Sequence, residues 1–376
     1  MVAVLAAVLA AAGIYEVFGA KKGAPAPKTE PIETEAPEET AKPVAEAVIE
    51  PRFPEYTIEP EILRDPDGYR GTEHVVIGKN GCLYENGYIN EYLGYAPKYV
   101  KVTDAQLAAR VSVLREIQDA LAAKNIAFCV AISPSKASAM PGYIPDWYME
   151  ENAPLTPGYV RPYTRFVKLL EGNGVYFVDS AGLYKSLGLT NTFPKTGIHW
   201  NRVAAFETCV AVIAEYERQT GAEIRRLATD KIMRGYNPVA SEQDIFGIVY
   251  SGKRKEMDNA IIDPWYYWPD VYVPDAGKPA IPHMTIQGGS FTGDFHHYFG
   301  GYGIAAGISA YYYNNGGNVD IDWESEIAKT KFVLLEVNEQ FVYNMGGNAP
   351  SWGGNDIAVL GLGPNIVDSL WEYLCN

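Results

Sequence analysis

From about Tyr56 onward, short apolar runs suited to β-strands alternate with stretches that carry apolar residues at helical spacing, and this alternation is what most restricts the fold. Thr103 is placed to cap a helix whose apolar stripe is Leu107, Val111, Leu114, Ile117 and Leu121. The run Ile126 to Ile132 follows as a strand and ends at Ser133-Pro134. A helix around Tyr163 to Leu170 leads into a strand at Val175 to Val178, and a third helix covers Arg202 to Gln219. Further strands are expected at Met284 to Gln287, Ala310 to Tyr313 and Phe332 to Val337, with a closing helix at Ile366 to Leu374. Strands that are apolar on both faces must be covered on both faces, so the pattern predicts an α/β fold with a mostly parallel sheet between helical layers. In such folds ligands meet the carboxyl ends of the strands.

Ahead of this body lie two segments of other kinds. Residues 1–20 are almost wholly apolar, with Glu16 the one charge, and are long enough for a membrane anchor or signal segment. Residues 21–54 interleave seven prolines with seven glutamates, a composition that buries too little apolar surface to order itself and reads as a disordered Pro/Glu-rich stalk. The expected layout is an anchor, a tether, and a globular domain over 55–376 held outside the cytoplasm, in the periplasm or at the cell surface. The net charge of −15 argues against nucleic acid as a partner, because binding phosphate backbones needs clustered cations. The four cysteines have neither zinc-site spacing nor the density of a disulfide scaffold, and buried free thiols are the simple reading. His296 and His297 lack a third ligand at helical spacing, so no metal site is expected.

The chemistry-bearing segments stand just past strand ends or at a helix start. In Gly288-Gly289-Ser290-Phe291 a strand runs into a helix through small residues, which lets a serine hydroxyl project with backbone amides beside it. His199, in Gly197-Ile198-His199-Trp200, opens the third helix. A serine nucleophile needs such a base, and the base needs an orienting partner. Lys136, in Ser133-Pro134-Ser135-Lys136, fits either an oxyanion site with Gly289 or a structural bridge. Trp265, Tyr266, Tyr267 and Trp268, between Pro264 and Pro269, suggest an aromatic loop on which sugar rings would stack. Tyr311 to Tyr313 are assigned to sheet packing.

These segments, in their order, resemble the AlgX/AlgJ-type alginate O-acetyltransferase family, whose body is an SGNH-hydrolase-like domain. That family places an Asp-x-His-Trp segment before a Gly-x-Ser-Phe/Tyr segment, as Gly197 to Trp200 and Gly288 to Phe291 stand here, with 91 residues between His199 and Ser290. Ile77 to Tyr84, Ser133 to Lys136 followed by Met140 to Pro145, and Leu335 to Glu339 are similar to further family segments, so the likeness runs from about Val75 to Phe341. The resemblance implies a three-layer α/β/α SGNH-hydrolase-like fold. It also implies acetyl transfer to polysaccharide hydroxyls, with Ser290 as acyl-carrying nucleophile and His199 as base. No cofactor would be needed, and a membrane-bound O-acyltransferase would be the partner that delivers the acetyl group.

One departure matters. The family's acid two residues before the histidine is Gly197 here. Another carboxylate, with Asp294, Asp179 and Glu339 as candidates, would replace it; or a backbone carbonyl would orient the ring in a Ser-His dyad; or the domain has lost catalysis. An acetyl esterase and a non-catalytic glycan-binding or scaffold subunit of an exopolysaccharide complex therefore stand beside the transferase. Residues 1–54 hold eight acidic and five basic residues, which leaves −12 on the body. A body of that charge repels an anionic polymer and favours a neutral glycan, with the 27 tyrosines as its contact surface.

Overall fold

The computed structural model describes residues 52–53, 70–72, 74–94, 103–151, 159–236, 244–245, 265–312, 321–339 and 366–376. All of them belong to the unit Ile49–Asn376. The anchor expected over 1–20 lies outside the described residues, as does the stalk except for Arg52 and Phe53. Those two are docked on the body: Phe53 is buried in the core, the Arg52 amide donates to Leu187 O, and the Arg52 guanidinium pairs with Glu207. The folded part therefore begins before residue 55. No helix among the described residues is long and apolar enough to cross a membrane.

Nine strands are described: β1 (Val75–Ile77), β2 (Leu83–Glu85), β3 (Ala127–Ser133), β4 (Phe177–Asp179), β5 (Ala228–Tyr236), β6 (Trp265–Tyr272), β7 (Met284–Gly288), β8 (Ile308–Tyr312) and β9 (Phe332–Asn338). Five of them form one sheet in the order β4-β3-β9-β7-β8, and every pairing in it is parallel. Each parallel step is crossed by a helix, because parallel strands need a long connection to return to the same edge. The helices Pro162–Gly172 and Thr292–Gly301 are the crossovers into β4 and β8.

The strands show why three layers form. All seven residues of β3 are buried, and they alternate between two cores. Ala127, Cys129 and Ala131 face a core shared with the helices Arg202–Thr220 and Thr292–Gly301. Phe128, Val130 and Ile132 face a second core filled by Leu107, Val111, Leu114, Ile117 and Leu121 of the helix Asp104–Ala123, with Leu370 of the last helix, Ile366–Cys375. The period of two along a strand sends successive side chains to opposite faces.

Local signals set the helix ends. Thr103 Oγ1 accepts from the Gln106 amide at 3.2 Å, while Gln106 Oε1 accepts from the Thr103 amide at 2.8 Å, a reciprocal cap. Asn201 Oδ1 accepts from the Ala204 amide at 3.0 Å, and Gly221, at φ +67°, closes the other end of that helix.

Two antiparallel pairs lie outside the main sheet, β1-β2 and β5-β6. The second corrects the expectation of an aromatic loop, because Trp265, Tyr266, Tyr267 and Trp268 are a strand paired with Tyr236, Gly235, Arg234 and Met233. Pro269 sits opposite Ile232, where the register shifts, a position at which a strand tolerates a residue without an N–H.

Candidate active site

Ser290 stands two residues past the end of β7, where the chain turns into the helix Thr292–Gly301, and it is exposed. The turn has little room. A Cβ on Gly288 would come within 2.6 Å of the Glu336 Cβ, so a side chain there would push β7 and β9 apart. Glu336, wholly buried on β9, accepts from the Gly289 amide at 2.7 Å through Oε2 and from the Ser133 hydroxyl through Oε1. That bond corrects the expectation for Gly289: its N–H is committed to Glu336 and is not free for an oxyanion.

His199 stands at the head of the helix Arg202–Thr220, three residues before its first turn. Lys136, 1% exposed, reaches under the preceding loop and donates to the carbonyls of Pro194 at 2.5 Å, Lys195 at 2.7 Å and Gly197 at 3.0 Å. Burial lowers its pKa, opposed by nearby negative groups that include Asp244. Three carbonyl dipoles on one ammonium make Lys136 a clamp on the histidine loop, in place of the oxyanion role considered for it.

The clamp and the turn bring the two motifs together. Ser290 Oγ lies 2.6 Å from His199 Nε2. Phe291 packs against the imidazole, with centroids 4.9 Å apart, and edge-on against Trp200 at 5.0 Å. Trp200 donates its indole N–H to Asp294 at 2.9 Å. Asp294 therefore ties the two segments together through Trp200 and does not orient the histidine; burial raises its pKa, partly offset by Arg202 and the Trp200 bond.

The other two acids considered are also engaged elsewhere. Asp179 accepts from the Tyr163 hydroxyl at 2.6 Å, and burial raises its pKa. Glu339 Oε1 accepts from Ser135 Oγ at 2.7 Å and from Arg161 at 2.8 Å. Both carboxylates belong to a polar layer over the ends of β3, β4 and β9.

The carboxylate that faces His199 is Asp244, which no sequence feature singles out. Its Oδ2 lies 2.5 Å from His199 Nδ1, and its Oδ1 accepts from the Ile198 amide at 2.8 Å. Its neighbour Ile245 is 4% exposed and donates its amide to Thr196 O at 3.3 Å, so both residues grip the same loop. Asp244 follows His199 by 45 residues. No periodicity or spacing links the two.

Ser290, His199 and Asp244 thus form a continuous chain in which a carboxylate faces one ring nitrogen and a hydroxyl the other. With the proton on Nδ1, Nε2 is free to accept the serine proton. Among the described residues no group of three or more His, Cys, Asp or Glu is placed to hold a metal ion. Of the aromatic segment, Tyr267 is partly buried against the core, and the side chains of Trp265 and Tyr266 lie outside those described.

Comparison with known proteins agrees with this architecture. No curated protein matches the chain. The O-acetyltransferase domain of Pseudomonas putida AlgJ superposes with a TM-score of 0.50 at 16% identity, over 80% of this chain and 99% of that one. Bacillus cereus PatB1 with a sulfonyl adduct gives 0.46 at 12% identity, over 72% and 97%, and Pseudomonas aeruginosa AlgX gives 0.45 at 11%, over 76% and 68%. At 16% identity the likeness to the AlgJ domain is one of fold. Residues 75–250 match the family described as the SGNH hydrolase-like domain of acetyltransferase AlgX, a span that holds His199 and Asp244. Over residues 75–250, just under half of its length, the chain is similar to that SGNH hydrolase-like domain, and it shares the fold of the AlgJ domain.

Proposed function

We propose that this protein is an O-acetyltransferase that acetylates hydroxyls of an extracellular or cell-surface polysaccharide through an acetyl-Ser290 intermediate. The observation that carries the reading is the unbroken chain from Asp244 through His199 to Ser290 at a strand end of the parallel sheet. His199 Nε2 takes the Ser290 proton as Oγ attacks the acetyl carbonyl, and returns it to the leaving group as the tetrahedral intermediate collapses. The same nitrogen then takes a proton from a sugar hydroxyl as that oxygen attacks the acyl-serine, and returns it to Ser290 Oγ as the Oγ–acyl bond breaks and the sugar leaves as its acetate ester. Asp244 holds the Nδ1 proton in place and stabilises the imidazolium that forms in both halves. Since Gly289 serves Glu336, the oxyanion falls to the Ser290 amide at the head of the following helix.

The layout of the chain supports the same reading. The apolar 1–20 segment and the Pro/Glu stalk would anchor the domain outside the cytoplasmic membrane, and a membrane-bound O-acyltransferase would deliver the acetyl group there. Asp244 supplies the acid absent at Gly197, so the non-catalytic alternative loses the argument that favoured it. Incubating the protein with an activated aryl acetate tests the reading. Acetyl on Ser290 by mass spectrometry, absent in Ser290→Ala, is expected; no label and no hydrolysis would sink it. With glycan added, acetyl on the sugar marks a transferase, whereas free acetate alone marks an esterase.

A further inference from the structure

A cavity of about 940 Å³ opens past the carboxyl ends of the strands, as Ser290 does, walled by Tyr92, Gly142, Arg161, Tyr163, Asp179 and Glu339 among others. None of the triad residues lines it. It lies past the ends of β3, β4 and β9, whereas Ser290 lies past β7. In the order β4-β3-β9-β7 the near wall, at Glu339, is one strand from β7, and the far wall, at Asp179, is three strands away. At about 4.8 Å per strand, the cavity covers the interval from about 5 to about 14 Å beside the strand that carries the nucleophile.

Its lining is specific in chemistry. Glu339 is fully buried; Oε1 holds Ser135 and Arg161, and Oε2 has no hydrogen-bond partner among the described residues. A buried acceptor of this kind wants a donor. Arg161 is already shared between Glu91, at 2.7 Å, and Glu339, at 2.8 Å, and lies over the rings of Tyr92 and Tyr163 at 5.2 Å each. Its charge is therefore neutralised from within, and Lys185, the other cation among the described wall residues, is exposed. An anionic ligand would meet Glu339 and Asp179 with no buried cation to spare among the described wall residues, and a hydrocarbon would leave Glu339 Oε2 unsatisfied. A neutral ring carrying hydroxyls supplies donors to the carboxylates and a face to the tyrosines.

We propose that this cavity binds a neutral sugar unit of the acceptor chain, offset along it from the unit whose hydroxyl meets Ser290. The second half of that statement rests on the transferase reading; binding in the cavity does not. The protein would then bind and acetylate neutral oligosaccharides in preference to monosaccharides and to oligouronates.

Two plug variants test it. Gly142 is exposed, its Cβ position meets nothing within 4 Å, and Thr190 is also an exposed part of the wall. Gly142→Trp and Thr190→Trp would each fill the cavity without touching the triad. Binding of neutral gluco-, xylo-, manno- and N-acetylglucosamine oligosaccharides and of oligomannuronate to the full chain is measured by calorimetry, alongside Ser290 labelling by the aryl acetate. The proposal expects at least one neutral oligosaccharide to bind more tightly than its monosaccharide and than the uronate. It expects Kd to rise about tenfold or more in both variants, with Ser290 labelling within about twofold of the parent. No neutral oligosaccharide bound by the parent, tighter binding of the uronate, or plug variants that bind as the parent does would overturn it. Loss of Ser290 labelling in the parent would instead remove the transferase reading and leave the binding result standing.

Discussion

Asp244→Asn is the sharpest test of the active site. The native carboxylate makes two contacts, from Oδ1 to the Ile198 amide and from Oδ2 to His199 Nδ1. An asparagine has one oxygen and one NH2. The Ile198 amide is a donor and can be met only by the oxygen, which turns the NH2 toward Nδ1. A donor facing Nδ1 strips that nitrogen of its proton and places it on Nε2, opposite Ser290 Oγ, where a base is needed. The residue keeps its size and its grip on the loop, so the fold should survive while the tautomer is wrong. In serine triads this fault costs on the order of 10⁴ in rate, which corresponds to about 5.5 kcal/mol of activation free energy. The assay is the single-turnover rate of Ser290 acetylation by an aryl acetate, with thermal unfolding measured in parallel. A loss of about three to four orders of magnitude with little change in Tm is expected. A rate within tenfold of the parent, while His199→Ala is inactive, would mean that Asp244 is only a loop contact.

Lys136→Met removes the donor to three carbonyls in the loop that leads to His199, of which Lys195 O keeps the Leu83 amide at 2.7 Å. With about 1–3 kcal/mol for each of the two acceptors left unsatisfied, at Pro194 and Gly197, partly offset by relief of a buried charge, a net loss of about 2–4 kcal/mol is expected in urea unfolding, together with slower acylation. An unchanged midpoint would show that the clamp is dispensable. Burial raises the Glu91 carboxyl to about 7, against the lowering effect of Arg161. Its unfolded value is 4.5, so the folded state holds the proton more tightly. Its contribution to stability is therefore full below about pH 4.5 and is lost as pH rises through 7. Glu91→Gln should flatten the fall in Tm across that window, and an identical slope in both proteins would refute the assignment. Cys82, Cys129 and Cys209 are buried and Cys375 is exposed, so a thiol reagent should modify Cys375 in the native protein and the other three only on unfolding. Rapid modification of more than one thiol would contradict this packing.

Much of the fold was legible because it rests on local patterns. The Thr103 cap and its five-residue apolar stripe gave a helix that the structure places at Asp104–Ala123. The run that became β3 is apolar throughout because both of its faces are covered. The aromatic segment misled for a reason of the same kind: prolines on both sides imitate a loop, and only its partner β5 and the register shift at Ile232 make it a strand. Phe53 looked like part of the stalk because its neighbours are prolines and glutamates, and its burial depends on a surface built far along the chain.

The active site divides in the same way. Ser290 and His199 stand in short segments whose small or capping residues carry their own local meaning, a tight turn after a strand and the head of a helix, and those segments were visible in the sequence. The distance between them was not, since 2.6 Å across 91 residues is set by the Lys136 clamp, the Glu336 hold on the turn and the Trp200–Asp294 bond. Asp244 was illegible altogether. A carboxylate needs no particular neighbours to orient an imidazole, only a position, and the chain reaches that position when Ile245 buries itself and its amide meets Thr196. Sequence alone determined the layered parallel fold and marked the short segments that hold Ser290 and His199, because periodicity and turn chemistry act over a few residues. Tertiary structure alone decided which of the 46 acidic residues completes the chain to Ser290, because that choice is made by contact in space between segments with no shared local pattern.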